Sequence, residues 1–184
     1  MPKLEFSPSE ALYPVPVALV SCGDSDRANI ITIAWCGVVC SKPPLLSISI
    51  RPSRLSNNII REVGDFILNI PTQNLLKETD ICGTISGRDK DKFDLCGFTK
   101  AKASMVRSLM IKECPVNIEC KVTNILSLGA HDMFIGEVVK IHRDASVLDK
   151  KGNMDYSKAS PVVYSQGEYW SLGKRIGRHG FSAE

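Results

Sequence analysis

No stretch of this 184-residue chain is both long and uncharged. The longest charge-free run, residues 28–41, falls short of the roughly 18 to 20 apolar residues that a membrane-spanning helix needs. The first ten residues, MPKLEFSPSE, hold two acids and two prolines but no basic segment followed by an apolar one, so no secretory leader is expected. A soluble, cytoplasmic protein is the expectation. Charge of one sign is also scarce in excess: 23 Lys plus Arg against 20 Asp plus Glu leaves +3, too little to argue for nucleic acid or an anionic membrane as partner. Any anion site must then be local.

Signature motifs are missing as well. There is no G-x-G-x-x-G after a strand, no G-x-x-x-x-G-K-[ST], no H-E-x-x-H and no G-x-S-x-G, which removes most of the case for Rossmann dehydrogenases, P-loop enzymes, zincins and α/β-hydrolases. Histidine is limited to His131, His142 and His179, none close in sequence to a suitable Ser or Cys, so a catalytic triad is weakly supported. The seven cysteines include no C-x-x-C pair, and Cys36 and Cys40 have neither a second half nor a neighbouring His. A zinc centre or thioredoxin-type site is therefore disfavoured, no metal is expected, and reduced, mostly buried thiols are.

What is present reads as one domain, mainly β with short helices. Short β-branched or alternating runs occupy residues 15–22, 30–35, 38–41, 45–50 and 66–70, separated by turn chemistry at Gly23-Asp24-Ser25-Asp26, Gly37 and Pro43-Pro44. Residues 53–63 place Leu55, Ile59, Ile60 and Val63 at helical spacing, with Ser53 as expected N-cap and Gly64 as C-cap. A second helix is expected over 73–81, capped by Thr72 and ended near Gly83. Residues 86–114 read as a long polar surface excursion, of the kind that is functional or wraps a partner. Two long strands, 116–128 and 133–142, meet at the hairpin Gly129-Ala130-His131-Asp132, and 162–165 is expected to be the final strand. A single unit over 1–184, with an N-terminal arm 1–10 and a tail 167–184, is the resulting organisation.

One local cluster carries chemistry. Arg51, Ser53, Arg54, Ser56, Asn57 and Asn58 crowd the start of the first helix, where free backbone N–H groups and the helix dipole favour a phosphate. Two guanidinium groups among hydroxyl and amide donors suit a dianion, although an ordinary helix start with solvated arginines has the same composition. Just upstream, Asn29, Thr32, Ala34 and Trp35 mix polar, small and flat side chains in a way that suits the wall of an aromatic pocket. A Trp buried in a core would also satisfy that pattern.

An ordered series of segments is more specific: PVALVS from Pro16, NIITIAW from Asn29, KPPLLSISI from Lys42, Ser56-Asn57, GDFILNI from Gly64, DKF from Asp91, IEC from Ile118 and GAHDMFIGEV from Gly129. This series resembles the flavin reductase-like family with the FMN-binding split β-barrel fold, and within it the flavoredoxin branch, over roughly residues 11–180. The resemblance implies a homodimer with one non-covalent FMN per subunit near the subunit boundary. Carried over residue by residue, it implies Asn29, Thr32, Ala34 and Trp35 beside the flavin. It implies Arg51, Ser53, Ser56 and Asn57 at the phosphate, Lys92 and His131 as groups that tune the flavin, and Tyr164 as an aromatic neighbour. Many members read Gly-Asp-His at the hairpin, where this chain has Ala130. The implied activity is an FMN-dependent oxidoreductase, either an NAD(P)H:flavin reductase or a flavoredoxin fed by NADH, NADPH or a redox protein. A non-catalytic FMN-binding or flavin-storage protein is the alternative.

Overall fold

The computed structural model describes residues 1–183. Strands β1 (Val15–Pro16), β2 (Ala18–Cys22), β3 (Asn29–Ile33), β4 (Cys36–Ser41) and β5 (Pro44–Ile50) precede helix α1 (Leu55–Val63) and strand β6 (Asp65–Ile70). A 3-10 turn leads into α2 (Leu76–Thr84), followed by α3 (Lys92–Cys96), the two-residue strands β7 (Lys100–Ala101) and β8 (Met110–Ile111), and the long hairpin β9 (Val116–Ser127) and β10 (Asp132–Arg143). A short helix α4 (Tyr156–Ala159) precedes β11 (Val162–Ser165) and β12 (Glu168–Ser171). Seven strands form one antiparallel sheet in the order β3-β2-β6-β9-β10-β5-β4, and β1-β11-β12 form a small second sheet. The β9–β10 register shifts between Ile135 and Gly136 and again between Val138 and Lys140. Irregularities of this kind bend a sheet, and this one curls into the open half of a split barrel.

The period-two pattern of the central strands explains both faces of the curl. In β2, Ala18, Val20 and Cys22 point into a core with Ile48, Ile59, Phe66 and Phe134, whereas Leu19 points the other way. A strand buried on both faces needs a cover on each. Ile59 and Ile60 of α1 plug the inner face, and residues 86–114 cover the outer one, where Phe93, Phe98, Ile111 and Cys114 pack on Leu19 and Ile30. The expected surface excursion therefore folds back on its own sheet.

Polar ties fix that cover. Fully buried Asn69 donates to the Leu19 carbonyl (2.9 Å) and to Ser21 Oγ (2.9 Å), and its own oxygen accepts from the Ile111 N–H (3.1 Å) and Asn117 Nδ2 (2.8 Å). The buried Glu119 carboxylate accepts from the Ser104 N–H (2.8 Å) and the Met105 N–H (2.6 Å), and pairs with His142 Nε2 at 2.6 Å. These bonds hold Glu119 below the usual carboxylate range even though burial opposes ionisation.

Local expectations fared differently. Gly64 does end α1, at φ 75° in the left-handed region that glycine adopts freely. Ser53 is not the N-cap: Arg54 is, and no side chain caps the helix. The second helix starts as a 3-10 turn at Gln73 without a Thr72 side-chain cap, and runs through Gly83 to Thr84; Gly83 lies against Thr32, where a Cβ would come within 3.3 Å of the Thr32 Cβ. Residues 162–165 are not the final strand. The tail expected from Gly167 opens with β12, paired to β11 through a tight turn at Gln166 and Gly167, both at positive φ.

Candidate functional site

The sheet edge, α1, α2 and the small sheet converge on a cleft of about 450 Å³, within the usual range for small-molecule sites. Strand β3 runs out into Ala34 and Trp35, and the Ser49 N–H bonds the Trp35 carbonyl (2.9 Å), which sets that turn beside the end of β5 and Arg51. The β9–β10 hairpin brings His131 to the same rim, its ring 4.5 Å from that of Trp35 and inclined by 51°. Burial pulls the imidazole below its ordinary pKa, and the nearby Arg51 charge adds to that.

The opposite wall comes from α2 and the small sheet. Tyr164 lies edge-on to Tyr169, with ring centroids 6.0 Å apart, and Tyr169 Oη donates to Asp80 Oδ1 of α2 at 3.1 Å. Burial, that bond and the Asp80 charge push the phenol up to about 12. Thr32 lines the floor, and its hydroxyl donates to the Thr79 carbonyl.

A second, smaller cleft of about 130 Å³ adjoins the first, with Ile31, Arg54 and Gly83 bordering both. It sits at the start of α1, and its lining includes Arg54, Arg88 and Lys92 but no carboxylate. With no capping side chain and no acid in the first turn, the helix N-terminus adds its own positive end. Three of the lining side chains are braced. Asn29 Nδ2 donates to Ser56 Oγ (2.8 Å), Arg88 Nη1 to the Ser53 carbonyl (2.8 Å) and Lys92 Nζ to the Cys82 carbonyl (2.7 Å). Gly87 presses so closely on Asn29 that an added Cβ would overlap its amide. Burial lowers the Lys92 pKa, with Arg54 pushing the same way, and a nearby anion would act in the opposite direction.

The structure thus gathers Thr32, Ala34, Trp35, Arg51, His131 and Tyr164 around the larger cleft, and Asn29, Ser53, Ser56 and Lys92 around the smaller. Asn57 lines neither. Its amide donates to the Ile50 carbonyl (3.1 Å) and Asp132 Oδ2 (2.9 Å) and accepts from Arg61 Nε (3.0 Å), tying α1 to the hairpin that carries His131. Sequence reasoning missed Arg88, Asp80 and Tyr169. Arg88 lay inside the charged run SGRDKDK with nothing to separate it from solvated neighbours, whereas the alternation VVYS-QG-EYWS did signal the hairpin that delivers Tyr169.

Known proteins resemble this chain over most of its length. The profile of the flavin reductase like domain matches residues 10–173. An uncharacterised protein of Archaeoglobus fulgidus is 32% identical over 147 residues, 80% of this chain and 82% of its own. Among solved structures, the flavoredoxin of Desulfovibrio vulgaris (Miyazaki F) is 31% identical with a TM-score of 0.92, covering 99% of this chain and 100% of that one. A flavoredoxin from Methanosarcina acetivorans is 29% identical with a TM-score of 0.92, and both chains are covered in full, 100% each.

Proposed function

This chain belongs to the flavin reductase-like family, and on that premise we propose that it binds FMN and works as an oxidoreductase of the flavoredoxin or flavin reductase type. The observation that carries the reading is the pair of joined clefts. One is flat-walled and aromatic, and the other is cationic and sited at a helix N-terminus.

The residues present fit that cofactor. Trp35, Ala34, Thr32 and Tyr164 would hold the ring system, and Arg54, Arg88, Lys92, Ser53 and Ser56 would hold the phosphate. Bound FMN supplies the electron chemistry, taking electrons from a donor and passing them to an acceptor. The protein's part is electrostatic and steric. Arg51 places a guanidinium at the Trp35–His131 rim, and His131 offers a ring N–H to a neighbouring acceptor. The Tyr169–Asp80 bond holds the small sheet to α2 and so sets the width of the cleft.

A homodimer is supported by the outer edge of β4, which pairs with no strand among the described residues. Its residues Val38 and Val39 are 77% and 50% exposed, and Trp35, directly before the strand, is 40% exposed. Apolar side chains on an edge strand invite a second copy, which would close the cleft from its open side. The seven free cysteines suit a reducing, cytoplasmic setting.

The test is an absorption spectrum of the purified protein, followed by anaerobic mixing with NADH and with NADPH. Rapid bleaching of a yellow protein by either nucleotide supports a reductase. Bleaching only by a reduced redox protein supports a flavoredoxin-type carrier, and a yellow protein that no donor bleaches would make it a flavin store instead.

A further inference from the structure

Cys82 on α2 and Cys96 on α3 place their sulfur atoms 3.7 Å apart. Cys82 is fully buried, whereas Cys96 is partly open to solvent, so a reagent meets Cys96 first. A disulfide holds its sulfurs at roughly 2.05 Å, which from 3.7 Å requires only a small approach of the two helices.

Those helices frame the small cleft. The Cys82 carbonyl accepts the Lys92 ammonium at 2.7 Å, and Lys92 is the first residue of α3. On α2, Gly83 follows Cys82 directly and borders both clefts. Moving Cys82 toward Cys96 therefore shifts the anchor of a cation in the anion site and the wall between the two clefts.

We propose that Cys82 and Cys96 form a reversible dithiol–disulfide pair whose oxidation, by a low-molecular-weight disulfide, draws α2 onto α3 and weakens FMN binding in the adjoining clefts. The Cys96 thiolate attacks one sulfur of the reagent, forming a mixed disulfide and releasing one thiol. Cys82 then attacks the Cys96 sulfur and releases the second. The two protein thiols lose two protons and two electrons, and the reagent is reduced to two thiols. Burial raises both thiols; at Cys96 the hydrogen bond with Cys82 and the Lys92 charge oppose that rise and Glu78 adds to it, so exchange quickens as pH rises. Formation of the bond stands on the sulfur geometry alone, and its effect on the cleft rests on the FMN reading above.

The experiment treats the purified protein with oxidised glutathione at about pH 8.5, where more of a buried thiol ionises than at neutral pH, with and without excess FMN. Free thiols are then counted after denaturation and the linkage is mapped by peptide mass. The expected result is loss of two thiols joined as Cys82–Cys96, an FMN affinity lowered by about fivefold or more, and recovery with dithiothreitol. Because coupling is reciprocal at equilibrium, saturating FMN shifts the dithiol–disulfide equilibrium with glutathione toward the dithiol by the same factor. Cys96→Ser should bind FMN like the reduced parent and keep that affinity after the oxidant. No linkage, or one between other cysteines, would overturn the pair. A Cys82–Cys96 bond with FMN affinity unchanged would overturn the coupling. A parent that binds no FMN would overturn the cleft reading and the coupling with it, while the peptide map still decides whether the bond forms.

Discussion

At the scale of single residues, neighbours that look interchangeable in sequence do different work. Arg54 borders both clefts, whereas Asn57, two residues past the helix start, is spent on Asp132 and Arg61. Arg54→Ala should raise the FMN dissociation constant by about 10- to 100-fold, the loss of one charge-assisted bond, and leave riboflavin unaffected. Titration with both flavins checks this. Trp35 and His131 touch but should respond differently. Trp35→Ala should brighten or release bound flavin, read by fluorescence. His131→Ala should keep FMN and lower its two-electron potential by roughly 30 to 60 mV, from one hydrogen bond of about 1.5 to 3 kcal/mol to a charged acceptor. A redox titration identical to the parent would place that imidazole away from the flavin. Lys92 gives a pH signature. Its lowered pKa means that FMN affinity should begin to fall on the alkaline side earlier than the ordinary lysine value of about 10.4 would allow. Most of these residues were visible in the sequence because β3 and the helix start form compact local clusters. Arg88 was not, since only its bond to the Ser53 carbonyl separates it from the surrounding solvated charges.

Among the elements, the hairpin and α1 act together. Asp132 takes hydrogen bonds from Arg61 Nη2 (2.8 Å), Asn57 Nδ2 (2.9 Å) and Ser127 Oγ (2.9 Å), and these hold its carboxyl below the usual range. A depressed carboxylate stabilises the fold above its unfolded pKa of about 3.9, and that contribution fades as pH falls through the folded value. Asp132→Asn should therefore cost about 1 to 3 kcal/mol near pH 7, with the gap to the parent narrowing on acidification, as measured by urea unfolding at both pH values. A constant gap would mean that packing, not charge, makes the contact. Strands were legible wherever one face alternates, as in β5 and β10. Helix ends were less so, because the start of α1 is left without a side-chain cap and α2 continues through a glycine that lies against Thr32. The cover formed by residues 86–114 looks like solvent-exposed loop in sequence because its apolar residues, Phe93, Phe98 and Ile111 among them, are interspersed with charges and follow no strand or helix period, and only the three-dimensional contact with Leu19 and Ile30 explains these three.

For the molecule as a whole, the family and the split barrel were readable from the order of its segments, while the shape of the cleft required the small sheet, whose last strand the sequence reading had left in the tail. The open edge of β4 belongs to this scale: Val38→Asp should shift a dimer toward monomer in sedimentation equilibrium, and a parent that is already monomeric would remove that argument. The central claim is that the two clefts take one ligand, ring in the larger and phosphate in the smaller. Isothermal titration of the flavin-free protein with FMN and with riboflavin tests it most directly. About one FMN per chain should bind, at least tenfold more tightly than riboflavin, because the phosphate reaches Arg54, Arg88 and Lys92. Equal affinity for the two, or binding of neither, would contradict it.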